Sequence, residues 1–319
     1  MDPAHRLGLR LKKLARQRSR NLARVRGLAS AFRELRRYDC PEALELLVEW
    51  TKERVRFAGV KRVVFGASGG VDSSLTACVL ARAVPGGVTG YLLPCQSNAR
   101  DEADARALLS VLGIKTVRID LEPALAAMTP LLSKAPAGST ALGNLKTRLR
   151  TMTLFHEAAA QRALFVGTGD LDEGFVGYYT KGSSSDLAPL ASLHKSEVRR
   201  LLELALRPVD EKLGRRLAKK PADAGLLPGR TAEVELGVTY EDIERSLEVV
   251  LEACALFEGG VVPREIDQFA AALRRANVPQ RAFLRVVDLI YAARHKAMGP
   301  PVLWRADTTR TGLDEYESE

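Results

Sequence analysis

The sequence predicts an α/β protein built on a doubly wound parallel sheet, with added helices at both ends. Three observations predict it. Short apolar runs alternate with segments of helical spacing between residues 43 and 166. Two of those runs end in glycine-bearing loops that lead into further helical segments. Beyond about residue 205 the chain turns loop-rich, over 219–230, and then reads as helical to residue 298. Strand–helix alternation with short, continuously apolar strands implies parallel strands covered on both faces.

The elements follow in order. In residues 1–37, Leu7, Leu11, Leu14, Leu22, Val25, Leu28, Phe32 and Leu35 recur mainly at steps of three and four, the spacing of one helical face. This predicts an amphipathic helix, or two broken near Gly27. The same stretch holds twelve Lys and Arg against Asp2 and Glu34, so of the chain's net charge of +9 the remaining residues carry −1. Three readings stay open for the extension: a helix docked on the body or on a second copy, an arm for nucleic acid or an acidic partner, or a disordered tail. Phe32 is the lone aromatic among these basic residues, not an interleaved set for base stacking, so docking is preferred and a nucleic-acid partner is not expected. From there the spacing predicts a helix over 43–57, a strand over 62–65, a helix over 73–83 and a strand over 88–93. A helix over 101–112, a strand over 116–119, a helix over 145–161 and a strand over 164–166 complete the sheet region. Ligands of such sheets sit beyond the carboxyl ends of the strands, near the point where strand order reverses. Segments 66–74 and 167–172 are expected at those ends.

Composition bounds the function. At 46% hydrophobic and 27% charged, the chain reads as an ordinary soluble protein with ample core material. No apolar run approaches the roughly 18 residues of a membrane-spanning helix, and the basic start has neither the apolar segment nor the cleavage site of a secretory signal. No membrane partner and an intracellular, cytoplasmic location are therefore expected. Cys40, Cys78, Cys95 and Cys254 form no C-x-x-C pair, which argues against a zinc ribbon or redox dithiol. Cys78 lies in an apolar helical stretch and reads as a small buried hydrophobe.

The strongest chemical signal is the run Val63-Val64-Phe65-Gly66-Ala67-Ser68-Gly69-Gly70-Val71-Asp72-Ser73-Ser74. A strand ends, two glycines turn the chain, and a helix begins. Glycine permits positive φ and close approach of backbone to ligand. The helix start offers unpaired N–H groups and the positive end of a dipole, which together hold phosphate oxygens. Ser68, Ser73 and Ser74 add hydroxyls. Asp72 suits an anion site only if a cation accompanies the phosphates, and Mg²⁺ held by a carboxylate or two resolves that. A plain Gly/Ser turn with Asp at a helix start is the bland alternative, but the whole string is more specific. It lacks the Gly-Lys-Ser/Thr of a Walker A loop.

The string resembles the loop of the ATP pyrophosphatases, which cleave ATP between its α- and β-phosphates. Further runs narrow the resemblance: Gly143-Asn144-Leu145-Lys146-Thr147-Arg148, Val166-Gly167-Thr168-Gly169-Asp170 with Glu173, Gly177-Tyr178-Tyr179-Thr180-Lys181, and Leu193-His194-Lys195. With residues 236–243 and His295-Lys296, these resemble the ammonia-dependent NAD synthetases over roughly 43–301. The resemblance implies an adenine nucleotide α-hydrolase-like fold and three regions: a basic extension (1–40), a synthetase-like domain (41–305) and a C-terminal tail (306–319). It implies a reaction in which the carboxylate of deamido-NAD attacks ATP, pyrophosphate leaves, and ammonia displaces AMP to give NAD. It further implies a homodimer, and a separate glutaminase partner stays open.

The resemblance also assigns roles. Gly66, Ala67, Ser68, Gly69, Gly70, Val71, Asp72 and Ser73 would cradle the phosphates of ATP. Asp72 and Glu173 would hold Mg²⁺. Lys195 would serve, with Asp72, as a catalytic group, and would bind ATP together with Thr168. Arg148, Lys181, Asp186, His295 and Lys296 would bind the dinucleotide. The chain departs from the family pattern in three places. Lys181-Gly182-Ser183-Ser184-Ser185-Asp186 is two residues shorter than K-x-G-D-G-G-x-D. Lys219-Lys220-Pro221-Ala222-Asp223-Ala224 replaces K-x-P-T-A with one added residue. Thr231-Ala232-Glu233 replaces T-D-E. The altered 183–185 segment keeps open a related synthetase acting on another carboxylate, the basic extension keeps open an RNA-modifying ATP pyrophosphatase, and a non-catalytic nucleotide-binding protein also stays open.

Overall fold

The order of four parallel strands decides where the site lies. A computed structural model describes residues 40–134, 140–223, 231–258, 274–293 and 296. The basic extension, the C-terminal tail and His295 lie outside the described residues, as do 135–139, 224–230 and 259–273. The described chain runs α1 (Cys40–Phe57), β1 (Val63–Gly66), α2 (Val71–Ala83), β2 (Val88–Leu92), α3 (Ala99–Val111) and β3 (Lys115–Arg118). It continues through α4 (Glu122–Met128), a 3₁₀ turn, α5 (Ala141–Gln161), β4 (Leu164–Val166), α6 (Leu171–Val176) and α7 (Lys195–Ala218). The described helices end with α8 (Ala232–Leu236), α9 (Tyr240–Glu258) and α10 (Gln280–Ala292). The sheet order is β3-β2-β1-β4, with every pairing parallel. Strand order therefore reverses at β1, and the carboxyl ends of β1 and β4 flank the crevice where ligands of such sheets bind.

Both faces of the sheet are covered, as the continuous apolar strands require. Val63 and Phe65 face one core with residues of α1, α2, α3 and α7. Val64, Tyr91 and Phe165 face a second core with Leu125, Leu149, Leu154 and Ala158 of α4 and α5. Alternate residues of β1 thus serve opposite layers, the period of two that a strand imposes. A third cluster, with Val176, Leu236, Ile243, Leu247 and Ile290, joins α6, α8, α9 and α10 beyond the sheet. Cys78 is buried in the first core, and burial pushes its thiol up to about 12.

Two expectations needed correction. Helix α5 begins four residues before the predicted 145, because Gly143 and Asn144 have weak helix propensity and mask the start. The change to loop placed near 205 falls instead after Ala218, since α7 continues to that point. At Asp210 (φ −153°, ψ 89°), just after Pro208, α7 leaves helical geometry. Asp210 Oδ1 then accepts from Leu213 N at 2.9 Å and caps a second helical segment. That segment doubles back: a Cβ on Gly214 would lie 2.9 Å from Leu206 Cβ, and Arg199 donates to the carbonyls of Ala218 and Lys220. Both ends of α7 thereby reach the carboxyl edge of the sheet.

Candidate active site

The loop after β1 is fixed by its own hydroxyls. Ala67 N donates to Tyr91 O at 2.9 Å, which continues the strand register into the turn. Gly69 takes φ +77°, a left-handed conformation that favours glycine, and Gly70 is the extended N-cap of α2. Ser73 Oγ and Ser74 Oγ donate to Gly70 O at 3.1 and 2.7 Å. Ser68 Oγ accepts from Gly70 N at 3.2 Å and lies 3.0 Å from Ser73 Oγ. Hydroxyls and helix-start amides thus gather at one point, an arrangement suited to phosphate.

Beside it stands a charged cage. Lys195 Nζ lies 2.8 Å from Asp72 Oδ1, 2.7 Å from Asp170 Oδ2 and 3.0 Å from Glu173 Oε1. The lysine and Asp170 are buried, whereas Asp72 and Glu173 keep 20% and 22% of their side-chain surface exposed. Burial opposes the charge of Lys195, but Glu173, Asp72 and Asp170 overcome it and hold the ammonium well above its ordinary range. Burial and the negative charge of Glu173 push the Asp170 carboxyl well up. Tyr240 closes the cage, its ring 4.9 Å from Lys195 Nζ and its hydroxyl donating to Glu173 Oε1 at 3.4 Å. One cation against three carboxylates leaves an excess of negative charge in a largely buried site.

Helix starts position this cage. Asp170 caps α6, its Oδ1 accepting from Glu173 N at 2.9 Å. Asp172 Oδ2 accepts from Lys195 N at 2.8 Å, and Asp172 Oδ1 lies 2.6 Å from His194 Nδ1. The start of α7 is thus pinned to the start of α6. Asp172, His194 and Glu244 come close enough to form a potential metal-ligand set. Their carboxylates are already engaged, since Glu244 accepts from Ser196 N and Oγ at 2.8 Å each. The cluster is a buried network that orients α7.

The remaining candidate residues divide into three places. Thr168 follows β4 at the carboxyl edge, on the strand adjacent to β1. Arg148 Nε donates to Lys181 O at 3.2 Å, which brings α5 beside the short 181–186 segment. Asp186 faces the edge of β4: its Oδ2 accepts from Phe165 N at 2.8 Å and its own N–H donates to Phe165 O at 2.9 Å. Lys296 Nζ donates to Gly177 O and Tyr179 O at 2.8 and 2.9 Å. It therefore ties the end of the described chain to the segment after α6. Sequence reasoning assigned no role to Asp170, Asp172, His194 or Tyr240. The D-x-x-E spacing of Asp170 and Glu173 at a helix start was the available signal for the first.

The family model for NAD synthase matches residues 43–300. The chain belongs to the NAD synthase family. Among relatives of this family, the NH(3)-dependent NAD(+) synthetase of Carboxydothermus hydrogenoformans is 38% identical over 216 residues, 66% of this chain and 86% of that one. The NH(3)-dependent NAD(+) synthetase of Hyperthermus butylicus is 36% identical over 259 residues, 79% of this chain and 87% of that one. A solved structure, the NMN synthetase from Francisella tularensis, superposes with a TM-score of 0.66 at 26% identity, covering 83% of this chain and 99% of that one. The NAD synthase match spans the sheet, the phosphate loop and the cage together.

Proposed function

We propose that this NAD synthase family member is a C–N ligase that converts deamido-NAD to NAD, using ATP and ammonia and releasing AMP and pyrophosphate. The observation that carries it is the pairing of the phosphate loop with the Asp72–Asp170–Glu173–Lys195 cage at the β1/β4 crevice. The loop's amides and hydroxyls would grip the β- and γ-phosphates, and the Lys195 ammonium would meet the charge that develops as they leave. A nicotinate carboxylate oxygen attacks the α-phosphorus and the bond to the β-phosphate oxygen breaks. Ammonia then attacks the acyl carbon, the bond to AMP breaks, and the nitrogen loses its extra proton to solvent. Holding both reactants in this crevice makes each step effectively intramolecular.

The residues present fit Mg²⁺. The excess of carboxylates over cations, with Asp72 and Glu173 partly exposed, is the donor set a hard oxygen-loving ion prefers. Bound there, Mg²⁺ would neutralise phosphate charge. Asp170, fully buried, would keep holding Lys195. Arg148, Lys181 and Lys296 would address the acceptor dinucleotide together with His295. Among the described residues no helix is long and apolar enough to cross a membrane, which suits a cytoplasmic enzyme.

A homodimer belongs to the same reading. Leu142, Met152 and Phe155 on α5 and Met128, Leu131 and Leu132 from α4 and the turn after it are exposed apolar side chains on two helices that touch, and a second copy would cover them. A second substrate reading, a smaller nicotinate carboxylate such as the mononucleotide, draws on the shortened 181–186 segment and the inward-facing Asp186.

A substrate panel tests the proposal. Protein with ATP, Mg²⁺ and ammonium should release pyrophosphate with deamido-NAD, and Asp72→Ala should lower that rate at least about 100-fold. Turnover with the mononucleotide alone would select the second reading. Pyrophosphate release with neither acid would refute both.

A further inference from the structure

The phosphate loop is held from behind by a residue from the far end of α7. Lys220 Nζ donates to Gly69 O at 2.9 Å, and the same ammonium lies 2.6 Å from Asp101 Oδ1 and 2.8 Å from Asp104 Oδ2. Arg216 adds a second cation to Asp104. Gly69 is pressed against the first turn of α3, for a Cβ there would lie 2.1 Å from Asp101 O. In a planar trans peptide the carbonyl of Gly69 and the N–H of Gly70 point in opposite directions. With the carbonyl fixed on Lys220, the Gly70 N–H faces Ser68 Oγ, where the Ser68 and Ser73 hydroxyls meet. Rotation of a peptide between two glycines meets little steric resistance. Rotated, it would turn a carbonyl oxygen toward the anion in place of a donor, which repels phosphate.

We propose that Lys220 is a positioning residue that locks the Gly69–Gly70 peptide with its donor toward the phosphates, and so sets the loop's grip on the pyrophosphate group of ATP. The inference rests on reading 66–74 as the phosphate site. Lys220 acts through the loop backbone and need not touch the nucleotide. It also gives α7 two duties at one site. Its first residue, Lys195, faces Asp72, and the residue two beyond its last turn, Lys220, faces Gly69.

The test compares wild type, Lys220→Met, Lys220→Arg and Asp101→Asn by pyrophosphate titration calorimetry and by kinetics with ATP and deamido-NAD varied separately. Loss of one charge-assisted hydrogen bond should weaken pyrophosphate binding about tenfold in Lys220→Met. The KM for ATP should rise in parallel while the KM for deamido-NAD stays within about twofold. Lys220→Arg should recover most of the loss. Asp101→Asn, which keeps the lysine but loosens its hold, should shift the same quantities about threefold and serves alone if Lys220→Met does not fold. Equal rises in both KM values, or unchanged pyrophosphate affinity in Lys220→Met or Asp101→Asn beside a binding wild type, would overturn the proposal. A wild type that binds no pyrophosphate would instead sink the phosphate-site reading on which it rests.

Discussion

His194 carries a pH response at the scale of a single residue. Burial works against its charged form, but the hydrogen bond and charge of Asp172 outweigh it, and the ring is held above its ordinary 6.5. A group whose folded value is raised contributes stability that is fully present below its unfolded value and is lost as pH rises through the folded one. Urea unfolding at successive pH values should therefore show this stabilisation intact below about pH 6.5 and fading above. His194→Asn, which offers an amide near the Nδ1 position but does not titrate, should remove that fade. His194→Ala should cost about 3 kcal/mol by leaving the buried Asp172 carboxylate short of a partner. These residues were hard to see in the sequence. The phosphate loop announces itself as one contiguous string, whereas Asp172, His194 and Glu244 meet only through the packing of α6, α7 and α9. Asp170 and Glu173 fall between these cases, since their spacing marks a helix cap but not the lysine that comes to sit against them.

At the scale of elements, the parallel strands were legible to within a residue or two, because Val63, Val64 and Phe65 are apolar in succession and a glycine loop follows. The doubled-back course of α7 was not. Pro208 and Asp210 do mark a break in the sequence, but a break and a loop look alike until Gly214 is seen against Leu206. That contact makes a prediction. Gly214→Val places branched atoms where a single Cβ already lies 2.9 Å from Leu206 Cβ. It should cost about 2 kcal/mol, read as a lower urea midpoint with an unchanged slope. The departures at 219–223 and 231–233 follow this hairpin, and Lys220 in the first of them reaches back to Gly69 O in the phosphate loop. Ala232 N still donates to Ala222 O at 2.8 Å, and Glu233 Oε1 still accepts from Tyr240 N at 2.8 Å.

For the whole molecule, the surface of α4 and α5 is the feature that asks for company. Leu131 is 84% exposed and Met152 63%. If this surface joins two copies, Met152→Glu should shift the mass seen by light scattering from dimer to monomer, since a desolvated unpaired carboxylate costs several kcal/mol. An unchanged mass would place the interface elsewhere. This surface was not legible in the sequence, because periodicity alone cannot separate a core contact from an intermolecular one. The reversal of strand order at β1 has one further consequence. Asp72 arrives with the first half of the chain, while Asp170, Glu173 and Lys195 arrive with the second. A cut between Lys134 and Thr140 would leave one fragment with the phosphate turn and another with the ammonium and its two other counter-charges. Neither piece alone would own a complete reaction centre, so activity could return only through complementation of the severed halves.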